Sequence, residues 1–223
     1  MKSNYFLRLI IGCFMLLSAG SASAAQISGA EAKSWADEKG QMLLETFSEP
    51  DLGKRYEKLD ELFLNYVDLE YIGKLVMGKY WRQMTPEQQE LYQDLFRRYA
   101  LAIYKGFPLN FDASKIKYEL GGARPGPSYT DVTANIRFDM GMKKGQTEVE
   151  SILIEFRLHR VNGEIRLIDL KLAESSLILS YRGRFAEMIM KNDGDIGWFL
   201  EDLEMITSSA EQSNAEKLQD EEY

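Results

Sequence analysis

The chain has 223 residues, 45% of them hydrophobic and 28% charged, with one cysteine and one histidine. Its formal charge of −8 argues against nucleic-acid binding, because phosphate recognition depends on clustered Lys and Arg. The same charge disfavours electrostatic adhesion to anionic membrane surfaces.

The first 24 residues have the pattern of a cleaved secretory signal. Lys2 and Arg8 form a basic start, an apolar run follows over 9–17, and ASA at 22–24 supplies the small residues of a cleavage site. The apolar run is shorter than the ~20 residues of a membrane span. A lipoprotein signal is the alternative, since IIGC at 10–13 loosely fits a lipobox, although it would leave part of the apolar run on the mature chain.

Cleavage after Ala24 would leave 199 of the 223 residues. The mature chain loses two of its 27 basic residues and none of its 35 acids, which takes the formal charge from −8 to −10. It also loses Cys13, the only cysteine, so stability must come from packing alone. These features predict an exported protein and suit a bacterial periplasm.

The first half of the mature chain, about 25–107, has helical spacing. Apolar residues recur three and four positions apart, as in Leu59, Leu62, Phe63 and Tyr66. Thr85, followed by Pro86 and by Gln88 three residues after the cap, predicts a capping box that begins a further helix.

The spacing changes to two in the second half, about 108–207. Four segments alternate apolar and polar residues, which predicts about four antiparallel strands with one apolar face. We expect loops at 121–127 and 141–145 and a tight hairpin at Asn162-Gly163. Ser175 or Ser176 then begins a helix, and Asp195 caps the last one.

The predicted fold class is therefore α+β, with leading helices, a curved antiparallel sheet and helices that close over its apolar face. We expect a single domain over 25–207. The acidic segment 208–223 has almost no apolar residues, so we expect it to be disordered.

Few residues suggest catalysis. His159 is expected to be a strand-surface imidazole rather than a general base, since no nucleophile accompanies it in the sequence. One histidine and no mature cysteine provide no metal site, and no cofactor motif occurs. Asp169 lies within an apolar strand, where a hydrogen-bonded structural carboxylate is favoured over a catalytic acid.

Many aromatic residues fall on the predicted apolar faces. They could fill an ordinary core, or they could line a cavity between the helices and the sheet. The pattern alone leaves both readings open.

Two segments resemble the MlaC family of periplasmic phospholipid-binding proteins, also described as toluene-tolerance proteins. VMGKYWRQMTPEQQELYQDLFRRYALAIY at 76–104 is similar in its Gly, aromatic-Trp-Arg, Thr-Pro and Gln before a Phe-containing helix. LIDLKLAESSLILSYRGRFAEMI at 167–189 is similar in Asp169, a Ser-Leu step, Tyr181-Arg182 and Phe185. The order of predicted elements extends the resemblance to about 30–206.

The resemblance implies a non-catalytic, monomeric lipid carrier with a nuclear-transport-factor-like sheet. Its implied partners are a phospholipid, an outer-membrane lipoprotein complex and an inner-membrane ABC complex with a lipid-binding MCE ring. A hopanoid or another apolar lipid is an alternative ligand. Expected lipid-binding residues are Tyr80, Trp81, Phe96, Tyr104, Phe138, Phe156, Tyr181, Arg182 and Phe185.

One residue of this set, Arg182, has two possible roles. Arg182 could pair with a lipid phosphate, but we expect it to form an ion pair with a nearby carboxylate. Two other functions also stay open: a cone-fold enzyme that uses Asp169, and a structural adaptor with a fully packed core.

Overall fold

The computed structural model describes residues 26–106, 115–143 and 146–221, with side chains placed except over 139–149 and at 221. The predicted signal segment lies outside the described residues. Six α-helices and a short 3-10 helix occur within the described part. The α-helices are α1 (Gly29–Phe47), α2 (Leu52–Tyr66), α3 (Leu69–Met77), α4 (Pro86–Gly106), α5 (Leu177–Lys191) and α6 (Ile196–Glu221).

Polar side chains fix where these helices begin. The Thr85 hydroxyl accepts the amide of Gln88, and the Gln88 side chain accepts the amide of Thr85, so the predicted capping box is confirmed. Ser176 and Asp195 cap α5 and α6 by accepting the amides of Leu179 and Trp198, as the sequence predicts.

The chain turns between α3 and α4 through a 3-10 helix, Gly78–Gln83. Gly78 has a φ of +54°, and a Cβ on it would lie 3.3 Å from Nε of Arg182. Glycine therefore permits both the left-handed backbone and the close approach of α5. Trp81 packs edge-on against Tyr92 with ring centroids 6.2 Å apart, which fixes the corner against α4.

The sheet has five antiparallel strands in sequence order. They are β1 (Ile116–Pro125), β2 (Thr130–Lys143), β3 (Gln146–Val161), β4 (Glu164–Leu172) and the short β5 (Ser175–Ser176). The Asn162-Gly163 hairpin is confirmed, with φ values of +51° and +88°. The predicted turn at 141–145 is shorter than expected, because β2 extends to Lys143; residues 144–145 lie outside the described part.

The predicted loop at 121–127 is wrong over residues 121–125, because β1 extends to Pro125. The pairing with β2 shifts between Leu120 and Ala123, so the two glycines there form a bulge within the strand. A Cβ on Gly121 would lie 2.5 Å from the Thr133 hydroxyl, so a larger residue there would force that hydroxyl to move. The glycine pair bends the strand, and the chain turns after it.

The predicted disorder from residue 208 is also wrong for the described residues, because α6 continues to Glu221. Arg98 of α4 binds Glu204 and Glu211 at 3.1 and 2.7 Å. The buried Asn214 side chain donates to the carbonyl of Ala102 at 2.8 Å. The segment is ordered through contacts with a helix about 110 positions away in sequence, which its own composition does not reveal.

Two groups of buried side chains hold these elements together. The first, here called the helical core, joins α3, α4, α5 and α6 around Tyr92, Phe96, Tyr99, Phe185 and Phe199. The second, here called the sheet core, lies between α1 and the sheet. It contains Ile27, Ala32, Ala36, Val132 and Leu158.

Candidate functional site

One face of the sheet is apolar along four strands. The register pairs Tyr118 with Ile136, Ile136 with Ile152, and Ile154 with Leu172. Partners directly opposite one another point to the same side of an antiparallel sheet. The face therefore carries Ile116, Tyr118, Leu120, Val132, Ala134, Ile136, Phe138, Ile152, Ile154, Phe156, Leu158, Leu170 and Leu172.

Burial decreases along this face from one end to the other. At the end covered by α1, Val132 and Leu158 are fully buried. At the opposite end, here called the open end, Ile136 and Phe138 are partly buried, and Ile152 and Leu172 are each 38% exposed. The apolar face is therefore sealed at one end, while Ile152 and Leu172 at the other end remain partly exposed to solvent.

Tyr104, in the last turn of α4, packs against α2. The Tyr104 ring lies 4.1 Å from the ring of Phe63, centroid to centroid. Burial raises the pKa of Tyr104, with smaller contributions from Tyr181 and the Asp169 carboxylate. Tyr104 therefore lies among α2, α5 and β4, where the helix layer meets the sheet.

Several of the aromatic residues expected to bind lipid lie in the helical core. Phe96 and Phe185 are 4% and 1% exposed, and their rings meet edge to face at 6.3 Å. Tyr80, Trp81 and Tyr181 are partly buried and pack against the same core. The expected residues therefore come from two regions of the molecule, because helical periodicity marks a buried face without identifying what covers it.

The expectation that Arg182 pairs with a carboxylate is wrong. Its Nε donates to the carbonyl of Leu75 at 2.9 Å, and its Nη2 donates to the same oxygen. Leu75 lies in the last turn of α3, where carbonyl groups have no partner within the helix. Arg182 therefore caps α3 from α5.

Asp169 has the environment of a structural carboxylate. It is 6% exposed and accepts the hydroxyl of Ser176 at 2.7 Å and the amides of Leu170 and Ile178 at 2.9 and 3.3 Å. Strand alternation places it on the face opposite Phe156, because Arg157 is its register partner. It ties β4 to the start of α5.

His159 is not on the open surface, as its side chain is only 14% exposed. Its Nε2 lies 2.8 Å from a carboxylate oxygen of Asp68, the residue that caps α3. Its ring packs against that of Tyr71 in a tilted arrangement, with centroids 5.0 Å apart. The imidazole thus links β3 to the start of α3.

The gap between α1 and α2 contains a cavity of about 190 Å³, lined by residues that include Met42, Thr46, Leu62 and Tyr66. Tyr66 meets the ring of Trp35 edge-on at 6.5 Å, and Trp35 packs against the sheet core. The cavity is smaller than the roughly 300–1,000 Å³ of a typical ligand site. A lipid tail could enter here only if the helices moved apart.

Other kinds of site find no support in the described part of the chain. No helix there is long and apolar enough to cross a membrane. No group of three or more His, Cys, Asp or Glu side chains there is arranged to hold a metal ion.

The fold and the site define an α+β protein in which helices cover a curved sheet with an apolar inner face. The family model described as MlaC protein matches residues 37–204, about three quarters of the chain. The chain belongs to the MlaC family. The resemblance found in the sequence and the predicted α+β fold are therefore both confirmed.

Two known proteins are similar to this chain. The toluene tolerance protein ttg2D of Pseudomonas putida is 24% identical over 149 residues, which cover 64% of this chain and 65% of that protein. The chain thus spans just under two thirds of that relative. A phospholipid-binding protein from Ralstonia solanacearum, solved in complex with a phospholipid, superposes with a TM-score of 0.63 at 21% identity, covering 80% of this chain and 98% of its own.

Sequence reasoning missed the open end. Alternation places Ile136, Ile152 and Leu172 on the inner face, but it does not distinguish a sealed position from an exposed one. Aromatic content directed attention to the helical core, whereas the exposed part of the face is largely aliphatic. Phe138 is the expected site residue that lies at this end.

Proposed function

We propose that this protein is a non-catalytic carrier that binds the acyl chains of a phospholipid on the apolar face of the sheet. The observation that carries the proposal is the fall in burial along this face, from fully buried Val132 to 38% exposed Ile152 and Leu172. A continuous apolar surface, rather than scattered residues, is the feature that marks a ligand groove. Family membership and the phospholipid bound by the Ralstonia solanacearum protein support the ligand class.

The energetics favour a direct transfer into protein. A diacyl lipid has about 30 methylene groups, each worth roughly 0.8 kcal/mol when buried, so moving it from a membrane into water costs on the order of 24 kcal/mol. Burial of the acyl chains on the apolar face would offset this cost, if α1 and α2 moved apart to admit them. The small cavity between them would then be the closed form of a larger pocket.

The finer part of the proposal concerns the route. We infer that the chain is exported by a cleaved signal and works as a monomer in the periplasm. There it would move lipid between an outer-membrane lipoprotein complex and an inner-membrane ABC complex with an MCE ring. A hopanoid or another apolar lipid is the second candidate ligand, because the open end carries aliphatic side chains that contact any hydrocarbon.

An enzyme that uses Asp169 has less support. The carboxylate accepts three hydrogen bonds and lies on the sheet face opposite the apolar one. A packed structural adaptor also has less support, because it would not explain an apolar sheet face that is exposed at one end.

Two neighbouring residues on β3 provide the test. Ile152 faces the apolar side and Leu153 the opposite side, and both are exposed, at 38% and 56%. The purified protein and its Ile152→Glu and Leu153→Glu variants are incubated with phosphatidylglycerol vesicles, separated from them, and analysed for bound lipid by mass spectrometry. We expect Ile152→Glu to lose bound lipid and Leu153→Glu to retain it.

Two results would reject the proposal. One is a wild-type protein that takes up no lipid from the vesicles. The other is equal binding by both variants, which would place the lipid away from this face. Thermal unfolding of both variants serves as the control for folding.

A further inference from the structure

The junction of α3, the 3-10 helix and α5 is basic, although the protein as a whole is acidic. Segment 69–85, which contains α3 and the 3-10 helix, has three basic residues and one acid, and so does α5. Each of the two segments therefore contributes +2, whereas the whole chain has a formal charge of −8. Arg182 contacts both Leu75 and Gly78, so the two segments form one continuous basic surface.

An exposed apolar stripe runs along α5 on this surface. Leu179, Gly183 and Met190 are spaced four and seven residues apart, which places them on one face of the helix. Leu179 and Met190 are 61% and 62% exposed and lie about 16 Å apart along the helix axis. Nothing lies within 4 Å of a Cβ built on Gly183. The three residues, here called the α5 stripe, thus form a depression between two large apolar side chains.

Basic residues border one side of the α5 stripe. Arg182 follows Leu179 by three residues, so the two are neighbours on the helix surface. Because Arg182 bonds the carbonyl of Leu75, this side of the stripe meets α3 and the 3-10 helix. Lys79 and Arg82 of the 3-10 helix are exposed, and neither forms an ion pair within the described part of the chain. Their charges are therefore available to a group from outside.

The next segment of the chain limits the extent of the basic surface. Segment 192–223 has ten acidic residues and one basic residue. Its helix, α6, packs directly on α5, with the rings of Phe185 and Phe199 5.4 Å apart. A broad anionic bilayer would meet both charges at once, whereas a helix only about 10 Å wide fits on α5 alone. The charge distribution thus favours an acidic protein helix over a membrane surface.

We propose that the α5 stripe is a docking site for a helix of another protein, in which Asp and Glu flank apolar side chains. One apolar side chain of that helix enters the depression at Gly183, as a knob enters a hole between packed helices. The flanking carboxylates meet Lys79 and Arg82, which provides charge complementarity at the edge of the contact.

The α5 stripe begins near the open end of the sheet face. Ser176 accepts the amide of Leu179, and the preceding Ser175 pairs with Leu172 at the open end. A helix docked on the stripe would therefore lie beside the end of the face at which lipid is exchanged. Only this link to lipid exchange rests on the proposed function; the docking site itself does not.

Two exposed methionines provide a matched pair of positions for the test. Met190 lies on the stripe, and Met205 lies on α6 with a similar exposure of 64%. Each is replaced by the photoreactive p-benzoylphenylalanine in the full chain, in cells that naturally make the protein. After irradiation, mass spectrometry identifies the crosslinked peptides. We expect the Met190 position to crosslink to a helix of another protein with Asp and Glu beside the crosslinked residue, and the Met205 position not to do so.

Charge reversal tests the role of the basic border. Lys79→Glu combined with Arg82→Glu should lower the yield of the Met190 crosslink about tenfold, because like charges then face each other. Changing the acidic residues of the partner helix to Lys should restore the yield. Lys54→Glu combined with Arg97→Glu alters the net charge equally, at exposed positions of α2 and α4, and should leave the yield unchanged. Thermal unfolding of each variant checks that it folds.

Four results would overturn the docking site. A crosslink from Met190 to lipid would indicate a membrane surface, and a crosslink to a second copy of the chain would indicate self-association. Equal yields of the same product from Met190 and Met205 would show no preference for the stripe. A yield that is unaffected by reversal of Lys79 and Arg82 would remove the role of charge.

Lipid uptake separates the docking site from the carrier function. The folded variant with Lys79→Glu and Arg82→Glu should take up as much lipid from phosphatidylglycerol vesicles as the wild type. Reduced uptake would assign the two cations to lipid contact and count against docking. A wild type that takes up no lipid would reject the carrier function, while the crosslinks from Met190 would still decide the docking site.

Discussion

The helical core and the apolar sheet face both consist of apolar side chains but differ in how completely those side chains are covered. In the helical core, Tyr92, Tyr99, Phe185 and Phe199 are all at most 2% exposed, and their rings contact one another. On the sheet face, burial falls from Val132 at 0% to Ile152 at 38%.

The difference indicates that the two regions have different roles. Aromatic rings that interlock edge to face leave no room for a ligand, so the helical core holds α3 to α6 in place. The open end of the sheet has apolar surface that remains in contact with solvent, which a monomeric protein retains only at a cost unless a ligand covers it. Substitutions should therefore affect folding in one region and ligand binding in the other.

The largest expected effect is Phe185→Ala. Removing a fully buried phenyl group leaves a cavity, so we expect a loss of about 3–5 kcal/mol in unfolding free energy. Ile152→Ala, at the open end, should cost less than about 1 kcal/mol because the side chain is already exposed. Urea denaturation of both variants measures the contrast, and equal losses would show that the two regions do not differ in the way described.

A smaller effect is expected where α6 meets α4. Asn214→Ala removes a buried hydrogen bond to the carbonyl of Ala102 and should cost about 1–2 kcal/mol. Gln212→Ala is the matched control, since the Gln212 side chain is exposed and bonds only Glu216, within α6 itself. If both variants were as stable as the wild type, the end of α6 would not belong to the folded unit.

A substitution in the turn between β4 and β5, beside the open end, should stabilise the protein. Glu174 has a φ of +75°, a conformation that glycine adopts without strain. We expect Glu174→Gly to raise the unfolding free energy by about 0.5–1 kcal/mol. Glu164→Gly, in regular strand conformation, should lower it by a similar amount. Chemical denaturation measures the change in unfolding free energy of both variants. A lower unfolding free energy in Glu174→Gly would show that Glu174 is not strained.

The smallest expected effect depends on pH. The Arg98 guanidinium, with help from the Ser208 hydroxyl, lowers the pKa of Glu204 below its usual 4.5. The resulting stability is present above pH 4.5 and is lost as the pH falls through the folded pKa. Since Glu204 is 45% exposed, we expect Arg98→Met to cost only about 0.2–1 kcal/mol at pH 7 and less at pH 3. Denaturation at the two pH values checks this difference.

The predictions from the sequence succeeded where the signal was local. Thr85, Ser176 and Asp195 cap helices because each accepts the amide three residues further along the chain, and Asn162-Gly163 turns the chain through its own backbone preferences. They failed where the partner is distant. Arg182 was expected to meet a carboxylate and caps α3 instead, and the segment after residue 208 is ordered by α4.

The sequence by itself determined the α+β order, the apolar alternation of the strands and membership of the MlaC family. The tertiary structure decided which apolar positions are sealed and which carbonyl group Arg182 satisfies. The physical reason is that periodicity records which side of an element avoids water. What covers that side depends on elements a hundred or more residues away in the chain.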